Sequence, residues 1–104
     1  MSGPPAALAA LLSLDRTVHE PVRLCVLAVL ANVASADFVY LQKTLGLTGG
    51  NLSTHIAKLT QAGLVSVEKS FIDNRPRTSL SLTEKGSEAL QAHAGALRLF
   101  LDQL

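Results

Sequence analysis

Aromatic residues and cysteine are scarce in this sequence. Its 104 residues include no Trp, one Tyr and three Phe, so the apolar content of 48% comes mainly from aliphatic side chains. Leu and Ala in such numbers favour helices whose apolar faces exceed what one small core can cover, which predicts self-association. The single cysteine, Cys25, cannot form an internal disulfide, and the expectation is a cytoplasmic protein.

Long apolar runs and catalytic motifs are also missing. No stretch of about 18 apolar residues could span a membrane, and the start of the chain lacks the basic leader of a secretion signal. The sequence has no phosphate-binding glycine loop, no paired carboxylates and no nucleophile beside a base, so we expect neither an enzyme nor a cofactor. The length suffices for one hydrophobic core, and hence for one domain over residues 1–104.

The small net charge of +1 is unevenly distributed along the chain. Residues 39–79 carry five basic and two acidic side chains, a net charge of +3, whereas each flank has a net charge of −1. A basic centre between mildly acidic ends is typical of a protein that presents one surface to phosphate, and a dimer would double that field. The basic residues of this centre are Lys43, Lys58, Lys69, Arg75 and Arg77.

The first third of the chain has the apolar spacing of helices. Residues 6–14 form a short predicted helix, and Pro4 and Pro5 stand where the start of a helix tolerates proline. A second helix is predicted to begin at Pro21, and its apolar residues so nearly encircle it that we expect burial at the centre of the fold. These apolar residues are Val22, Leu24, Cys25, Val26, Leu27, Val29, Leu30 and Val33.

Two further helices are joined by a tight turn. After an extended piece at residues 36–38, a helix of about two turns is expected to end at Gly46, which can adopt the left-handed conformation. Thr48 is the predicted N-cap of the next helix, which Gly63 would terminate. Residues 39–62 therefore predict a helix-turn-helix.

The period of the pattern then changes from helical to alternating over residues 64–82, which predicts two strands. The segment between these strands, residues 71–77, contains the turn-forming residues Asp, Asn and Pro and should form the tip of a hairpin. The sequence therefore predicts a two-stranded wing with Arg75 and Arg77 near its end.

A last helix is predicted to start after Thr83 and to run to the C-terminus. Its apolar residues repeat at alternating spacings of four and three, which is typical of a seam that packs against another helix. The seam residues are Leu90, Ala94, Leu97, Leu101 and Leu104, and Ala89, Ala96 and Phe100 widen it.

Five segments in a fixed order span roughly residues 14–90, which is most of the chain; they are Val18–Leu24, Asn51–Leu59, Ala62–Val65, Arg75–Thr78 and Leu82–Gly86. Together they resemble the winged-helix regulators of the MarR and ArsR type. The resemblance implies a mainly α (α+β) fold: a winged helix-turn-helix in which residues 64–82 form the two-stranded wing. The long terminal helices, 6–14 and 83–104, would form a homodimer interface. It also implies a recognition helix in the major groove of double-stranded DNA and a wing on the backbone or in the minor groove.

Gly49 and Gly50 depart from that pattern, because they occupy the first turn of the recognition helix, where Pro or a stronger helix former would be commoner. Glycine at this place costs helix stability but lets backbone amides approach phosphate closely. We hypothesise that this turn becomes ordered only on DNA.

The outward side of the predicted recognition helix is polar, since Leu52, Ile56 and Leu59 would face inward. Asn can pair with adenine, Thr can offer a hydroxyl to a base or phosphate, and Lys can reach guanine or the backbone. The alternative is that this face, which includes Gln61, is merely solvated. The predicted DNA-binding residues are Thr48, Gly50, Asn51, Ser53, Thr54, His55 and Lys58 around the helix, and Lys69, Arg75 and Arg77 on the wing.

The wing and His55 each leave an alternative open. Pro76 would stiffen the tip, so that less freedom is lost when the two wing arginines engage phosphate or a narrow minor groove. The arginines could instead pair with Asp73 or Glu68. His55 stands between an exposed and a buried position and could contact phosphate, bond to its own scaffold, or do both; we favour a role in positioning on the DNA backbone.

Metal sensing, which some ArsR-type repressors perform through clustered Cys, His and acidic ligands, is not predicted. Cys25 lies on the apolar helix, where a thiol behaves as a small hydrophobe, and redox sensing is not expected either. His19 and Glu20 are adjacent, and His93 has no second ligand three or four residues away. No set of residues therefore has the spacing of a metal site.

Two functions are compatible with the sequence. The leading one is a sequence-specific repressor or activator whose dimer reads two half-sites about one helical turn apart. The other is a winged-helix module that binds proteins and lacks sequence-specific DNA binding. Salt separates them, because DNA binding weakens steeply as salt rises, whereas an apolar protein interface changes less. A hydrophobic small-molecule effector between the terminal helices and the core is a further hypothesis.

Overall fold

In the computed structural model, which describes residues 5–104, five helices and three strands follow one another along the chain. They are α1 (Ala6–Leu12), α2 (Pro21–Leu30), β1 (Ala36–Asp37), α3 (Phe38–Leu45), α4 (Gly49–Gln61), β2 (Val65–Ile72), β3 (Arg75–Leu82) and α5 (Glu84–Leu101). The winged α+β fold class predicted from the sequence is confirmed. Pro4, assigned to the start of the first helix, lies outside the described residues. No helix within residues 5–104 combines the length and hydropathy needed to cross a bilayer.

Polar side chains cap four of the helices, α2 to α5. The hydroxyl of Thr48 accepts a hydrogen bond from the amide of Asn51 at 3.1 Å, and that of Thr83 accepts one from Gly86 at 2.9 Å. The first bond confirms Thr48 as the predicted N-cap of α4, and the second shows that Thr83 caps the helix predicted to start after it. Each cap is worth about 1 kcal/mol of stability. Two further N-caps, Glu20 on α2 and Asp37 on α3, are carboxylates that the sequence analysis did not identify.

The core lies between α2, α3, α4 and the sheet. Only one side of helix α2 faces this core. The prediction that α2 is buried on all sides is wrong, because Cys25 and Ala28 are exposed and the helix ends before Val33. In a core of this size a helix is buried only on the side where neighbouring elements pack against it. A sequence that is apolar all round the helix does not indicate which side this is. The fully buried large side chains are Val18, Val26, Leu27, Leu30, Leu41, Leu52, Leu59 and Leu80.

The three strands form an antiparallel sheet in the order β1-β3-β2. The ladder between β2 and β3 runs from Val65 opposite Leu82 out to Ile72 opposite Arg75. The predicted seven-residue tip is therefore too long, since the turn itself is only Asp73 and its successor Asn74, with φ of 52° and 63°. Positive φ at both central residues produces the twist that a two-residue hairpin needs, and Asp and Asn tolerate it.

Pro76 is part of the ladder rather than of the turn, and its place explains why proline is tolerated there. It lies opposite Phe71, one pair beyond the pair that closes the turn. In an antiparallel ladder the pairs alternate between bonded and non-bonded, so the missing N–H of Pro76 points away from β2. β1 reaches only Leu80 and Ser79 on that side, so no partner strand needs the missing donor.

Helix α5 leaves the sheet and packs against α1. Gly86 is buried at the start of α5, where an added Cβ would overlap the carbonyl oxygen of Leu64 and the side chain of Leu82. The two helices end at Leu12 and Leu101, short of the predicted ends at residues 14 and 104. The last predicted seam residue, Leu104, therefore lies beyond the helix and is exposed.

Candidate nucleic-acid interface

Helix α4 follows the turn at Gly46, whose φ of 66° ends α3 in the left-handed conformation as predicted. Leu52, Ile56 and Leu59 are buried, which fixes the rotation of α4 about its axis. All predicted DNA-binding residues at this helix except His55 are consequently exposed: Thr48, Gly50, Asn51, Ser53, Thr54 and Lys58. Gln61 is exposed on the same helix.

The outward face of α4 offers one donor fewer than its sequence indicates. The hydroxyl of Thr54 donates to the carbonyl oxygen of Gly50 at 3.0 Å, one turn earlier. Its proton is therefore in use, and its lone pairs can accept from the exocyclic amino groups of adenine or cytosine. By helical spacing Thr54 and Gln61 lie opposite the core, whereas Asn51, His55 and Lys58 share one flank.

The first turn of α4 consists of Gly49 and Gly50, in the helical conformation. No atom of the described chain lies within 4 Å of the place that a Cβ on Gly50 would occupy. Packing within one chain therefore does not require glycine at Gly50.

His55 is half-buried and bonded to its own scaffold. Its Nδ1 lies 3.1 Å from a terminal nitrogen of Arg23, and its Nε2 lies 3.8 Å from Oε2 of Glu20. Arg can only donate, so Nδ1 of His55 accepts and the proton of the neutral imidazole is on Nε2, facing the carboxylate. The structure places His55 between α4 and the start of α2, the scaffold arrangement that the sequence analysis had left open.

Arg23 is the residue at this site that the sequence analysis missed. It is 9% exposed, and besides His55 its guanidinium donates to two carbonyl oxygens, from Nε to Thr17 at 2.6 Å and from NH2 to Arg16 at 3.2 Å. The sequence did contain a signal for its burial, because Arg23 is at helical spacing from the core residues Val26 and Leu27. Arg23 thereby fixes the loop between α1 and α2 beside α4.

The two arginines of the wing share one face, and Lys69 lies on the other. In the ladder Arg77 is opposite Ser70, whereas Lys69 is opposite Thr78, and successive residues of a strand point to opposite faces. Nε of Arg77 lies 3.8 Å from Oδ1 of Asp37. Within residues 5–104 neither arginine pairs with Asp73 or Glu68, the partners considered from the sequence.

His19 and His93, which are far apart in the sequence, meet where the loop after α1 reaches α5. Nδ1 of His19 lies 3.2 Å from Nε2 of His93, and the second ring nitrogen of His93 is buried without a partner among the described residues. Burial, and secondarily the neighbouring His19, lower the pKa of His93 below its ordinary value. In the described part of the chain no three His, Cys, Asp or Glu side chains are grouped as a metal site.

The chain is similar in sequence and in structure to known proteins. A family model described as a winged helix DNA-binding domain matches residues 22–101. The structure of a transcriptional regulator homologue from Pyrococcus horikoshii OT3 is similar, with a TM-score of 0.86 and 33% sequence identity over 95% of this chain and 97% of that chain. An uncharacterized protein of Methanocaldococcus jannaschii is 40% identical over 73 residues, which are 70% of this chain and 79% of that protein.

More distant structures share the fold. A zinc-responsive MarR family member from Lactococcus lactis is 21% identical, has a TM-score of 0.61, and is matched over 79% of this chain and 56% of its own. Likeness at this identity concerns the fold alone, because winged helices with similar backbones serve different functions.

Proposed function

Because the chain belongs to the winged helix DNA-binding domain family, we propose that it binds double-stranded DNA as a homodimer and represses transcription from the sites it occupies. The observation that carries the proposal is the face of α4, where buried leucines and an isoleucine on one side leave a largely polar exposed surface on the other. Asn51 and Lys58 on that surface have the chemistry of base and phosphate contacts.

The wing supplies the second part of the proposed interface. Arg75 and Arg77 extend on one face of a hairpin whose two-residue turn and proline-containing ladder leave little freedom to lose on binding. A rigid pair of arginines suits the backbone or a narrow minor groove beside the recognition helix. Repression by occupying a promoter requires no enzymatic step, and we propose that the protein acts in the cytoplasm.

Exposed leucines on the terminal helices support the homodimer. Leu12 of α1 is 77% exposed and Leu101 of α5 is 59% exposed, and the two helices pack side by side in one chain. Apolar side chains gathered at one end of a small domain are typical of a surface that a second copy covers. A two-fold dimer would present two copies of α4 to two half-sites in successive major grooves.

A small apolar effector is part of the proposal. A hollow of about 290 Å³ lies between α1, the following loop and α5, the region between the terminal helices and the core. Its lining includes Ala10, Leu14, Ala89 and Ala96 together with the buried His93. A ligand there would shift the terminal helices and with them the spacing of the recognition helices. A melting temperature and DNA affinity that stay constant across a broad small-molecule screen would exclude this control.

Selection of bound duplexes from a random DNA pool tests the proposed function. We expect a near-palindromic sequence to be enriched, with half-sites about one helical turn apart. A pool without enrichment, together with weak binding at physiological salt, would contradict DNA reading and favour the protein-interaction module. A reporter gene placed downstream of the enriched sequence then measures the sign of regulation, for which the proposal expects reduced expression.

A further inference from the structure

A basic cleft lies beside the recognition helix and outside the residues assigned to DNA so far, apart from Lys58. It has a volume of about 500 Å³ and opens between the loop after α1, the start of α2 and the C-terminal half of α4. We refer to it as the Arg16–Lys58 cleft. Its lining residues are Arg16, Thr17, Arg23, Lys58, Gln61 and Ala62.

The charge in this cleft is one-sided. Three of the six lining residues, Arg16, Arg23 and Lys58, are cationic and none is acidic. Within residues 5–104 the ion pairs are His55 with Glu20 and Arg77 with Asp37, and neither involves a cation of the cleft. Three positive charges that converge without a carboxylate partner attract an anion strongly, because their fields add in the concavity.

Arg23 makes the cleft rigid and leaves it short of negative charge. Its buried guanidinium bonds to two carbonyl oxygens and to an imidazole nitrogen, which are all uncharged partners. A buried cation is costly unless a counter-charge or full hydrogen bonding offsets the lost hydration. Three of its five N–H groups are engaged in these bonds, so two remain for a ligand.

Two carboxylates near the cleft are held by backbone amides. Oδ1 of Asp15 accepts a hydrogen bond from the amide of the lining residue Thr17 at 2.8 Å. One oxygen of Glu20 accepts from the backbone amide of Arg23 at 2.9 Å, and the other faces Nε2 of His55 at 3.8 Å. Glu20 therefore caps α2 and orients His55, and it does not line the cleft. Neither carboxylate lines the cleft, so its lining has three cationic residues and no acidic one.

We propose that the Arg16–Lys58 cleft binds a phosphate group, and that the backbone of the DNA strand flanking α4 supplies it. The inference rests on the proposed function, since Lys58 and Gln61 line the cleft from the helix that would enter the major groove. Arg16 from the loop after α1, Lys58 from α4 and Arg23 from the start of α2 contact the phosphate. The loop after α1 thereby becomes a third DNA-contacting element, after α4 and the wing.

Affinity for a duplex over a salt series tests this contact. Arg16→Gln is expected to weaken binding by about fivefold at physiological salt, equally for specific and scrambled duplexes, which is the effect of one released counterion. Arg16→Gln combined with Lys58→Gln should lower the slope of log Kd against log salt by about one per protomer, since both cations share one phosphate. Arg98→Gln removes the same charge from an exposed site on α5 and should leave affinity unchanged.

The outcomes separate this inference from the proposed function. A slope change of about two in the double variant, or wild-type affinity in Arg16→Gln, overturns the shared phosphate site while DNA binding stands. If the wild type binds no DNA, the proposed function fails. A titration with inorganic phosphate, followed by NMR, then tests whether the cleft binds phosphate at all. Shifts of the Arg23 side-chain N–H that are absent in Arg16→Gln would then retain a phosphate site and overturn DNA as its source, whereas unchanged spectra would overturn the site itself.

Discussion

At the scale of single residues, buried polar groups organise this protein as much as its leucines do. Arg23 connects the loop after α1, the start of α2 and α4 through three hydrogen bonds. A hydrogen bond from a charged group contributes more than one between neutral groups, and an unpaired partner left behind in the interior is costly. The orientation of His55, and with it one flank of α4, therefore depends on a residue of another helix.

Among the glycines of residues 5–104, Gly86 should be the least replaceable. We expect Gly86→Ala to lower the free energy of unfolding by about 1–3 kcal/mol, since the added methyl overlaps the backbone of Leu64. Gly95→Ala in the same helix is the matched control, because no atom lies within 4 Å of its Cβ position. It should raise the stability by about 0.5–1 kcal/mol through helix propensity. Equal effects of the two variants in urea unfolding would refute this packing.

His93 should make stability dependent on pH. Because burial lowers its pKa, the unfolded chain takes up a proton at higher pH than the folded protein does. Stability is therefore intact above the ordinary histidine pKa of about 6.5 and falls as the pH drops below it, by at most about 1.4 kcal/mol per pH unit.

Urea unfolding of His93→Gln between pH 7.5 and pH 5 measures this contribution, at one protein concentration. The variant should lose less stability over that range than the wild type does. His19→Gln should remove only the smaller part of the effect, which comes from the neighbouring ring. Parallel curves for the wild type and His93→Gln would show that His93 is not the group responsible.

At the scale of elements, the sequence predicted helices and strands correctly where the apolar pattern agreed with the residues that begin and end an element. Gly46 ends α3 as predicted, Thr48 and Thr83 begin α4 and α5, and the alternating pattern marks the wing. The burial of helix α2 was predicted wrongly. Its apolar residues surround the helix axis and do not indicate which side packs against other elements. The wing tip was also too long, since proline was read as a turn residue although register permits it in the ladder.

The wing should contribute to affinity without contributing to discrimination. Charge reversal of Arg75 and Arg77 to Glu is expected to weaken binding to all sequences alike and to flatten the salt dependence by about one unit per arginine in each protomer. Lys69→Glu on the opposite face of the hairpin reports whether that face also approaches the DNA. Unchanged affinity in the arginine variant, measured by fluorescence anisotropy, would remove the wing from the contact surface.

At the scale of the whole molecule, the protein is elongated. Its radius of gyration is 15.9 Å and its extents are 64 × 25 × 21 Å, whereas a compact chain of this length would have a radius of about 13 Å. The winged-helix fold could be predicted because its element order follows from local patterns. The contacts of Arg23 with His55 and of His19 with His93 could not, since they join residues 32 and 74 positions apart.

Assembly should depend on the exposed leucines of the terminal helices. The wild type is expected to sediment as a dimer of twice 11.0 kDa, and Leu12→Lys with Leu101→Lys should shift it to the monomer, because two buried ammonium groups would oppose an apolar interface. Val33→Lys is the control, since Val33 is 47% exposed in the segment after α2. A wild type that sediments as a monomer at micromolar concentration would contradict the proposed dimer.

The central claim is that the outward face of α4 reads DNA sequence, and the most direct test compares affinities for an enriched duplex and a scrambled one. The ratio of the two affinities is measured for the wild type and for Asn51→Ala combined with Thr54→Ala. We predict that the variant loses most of this ratio, about 1–3 kcal/mol for each base contact removed, while its affinity for the scrambled duplex is retained. A variant that keeps the wild-type ratio would contradict the assignment of α4 as the recognition helix.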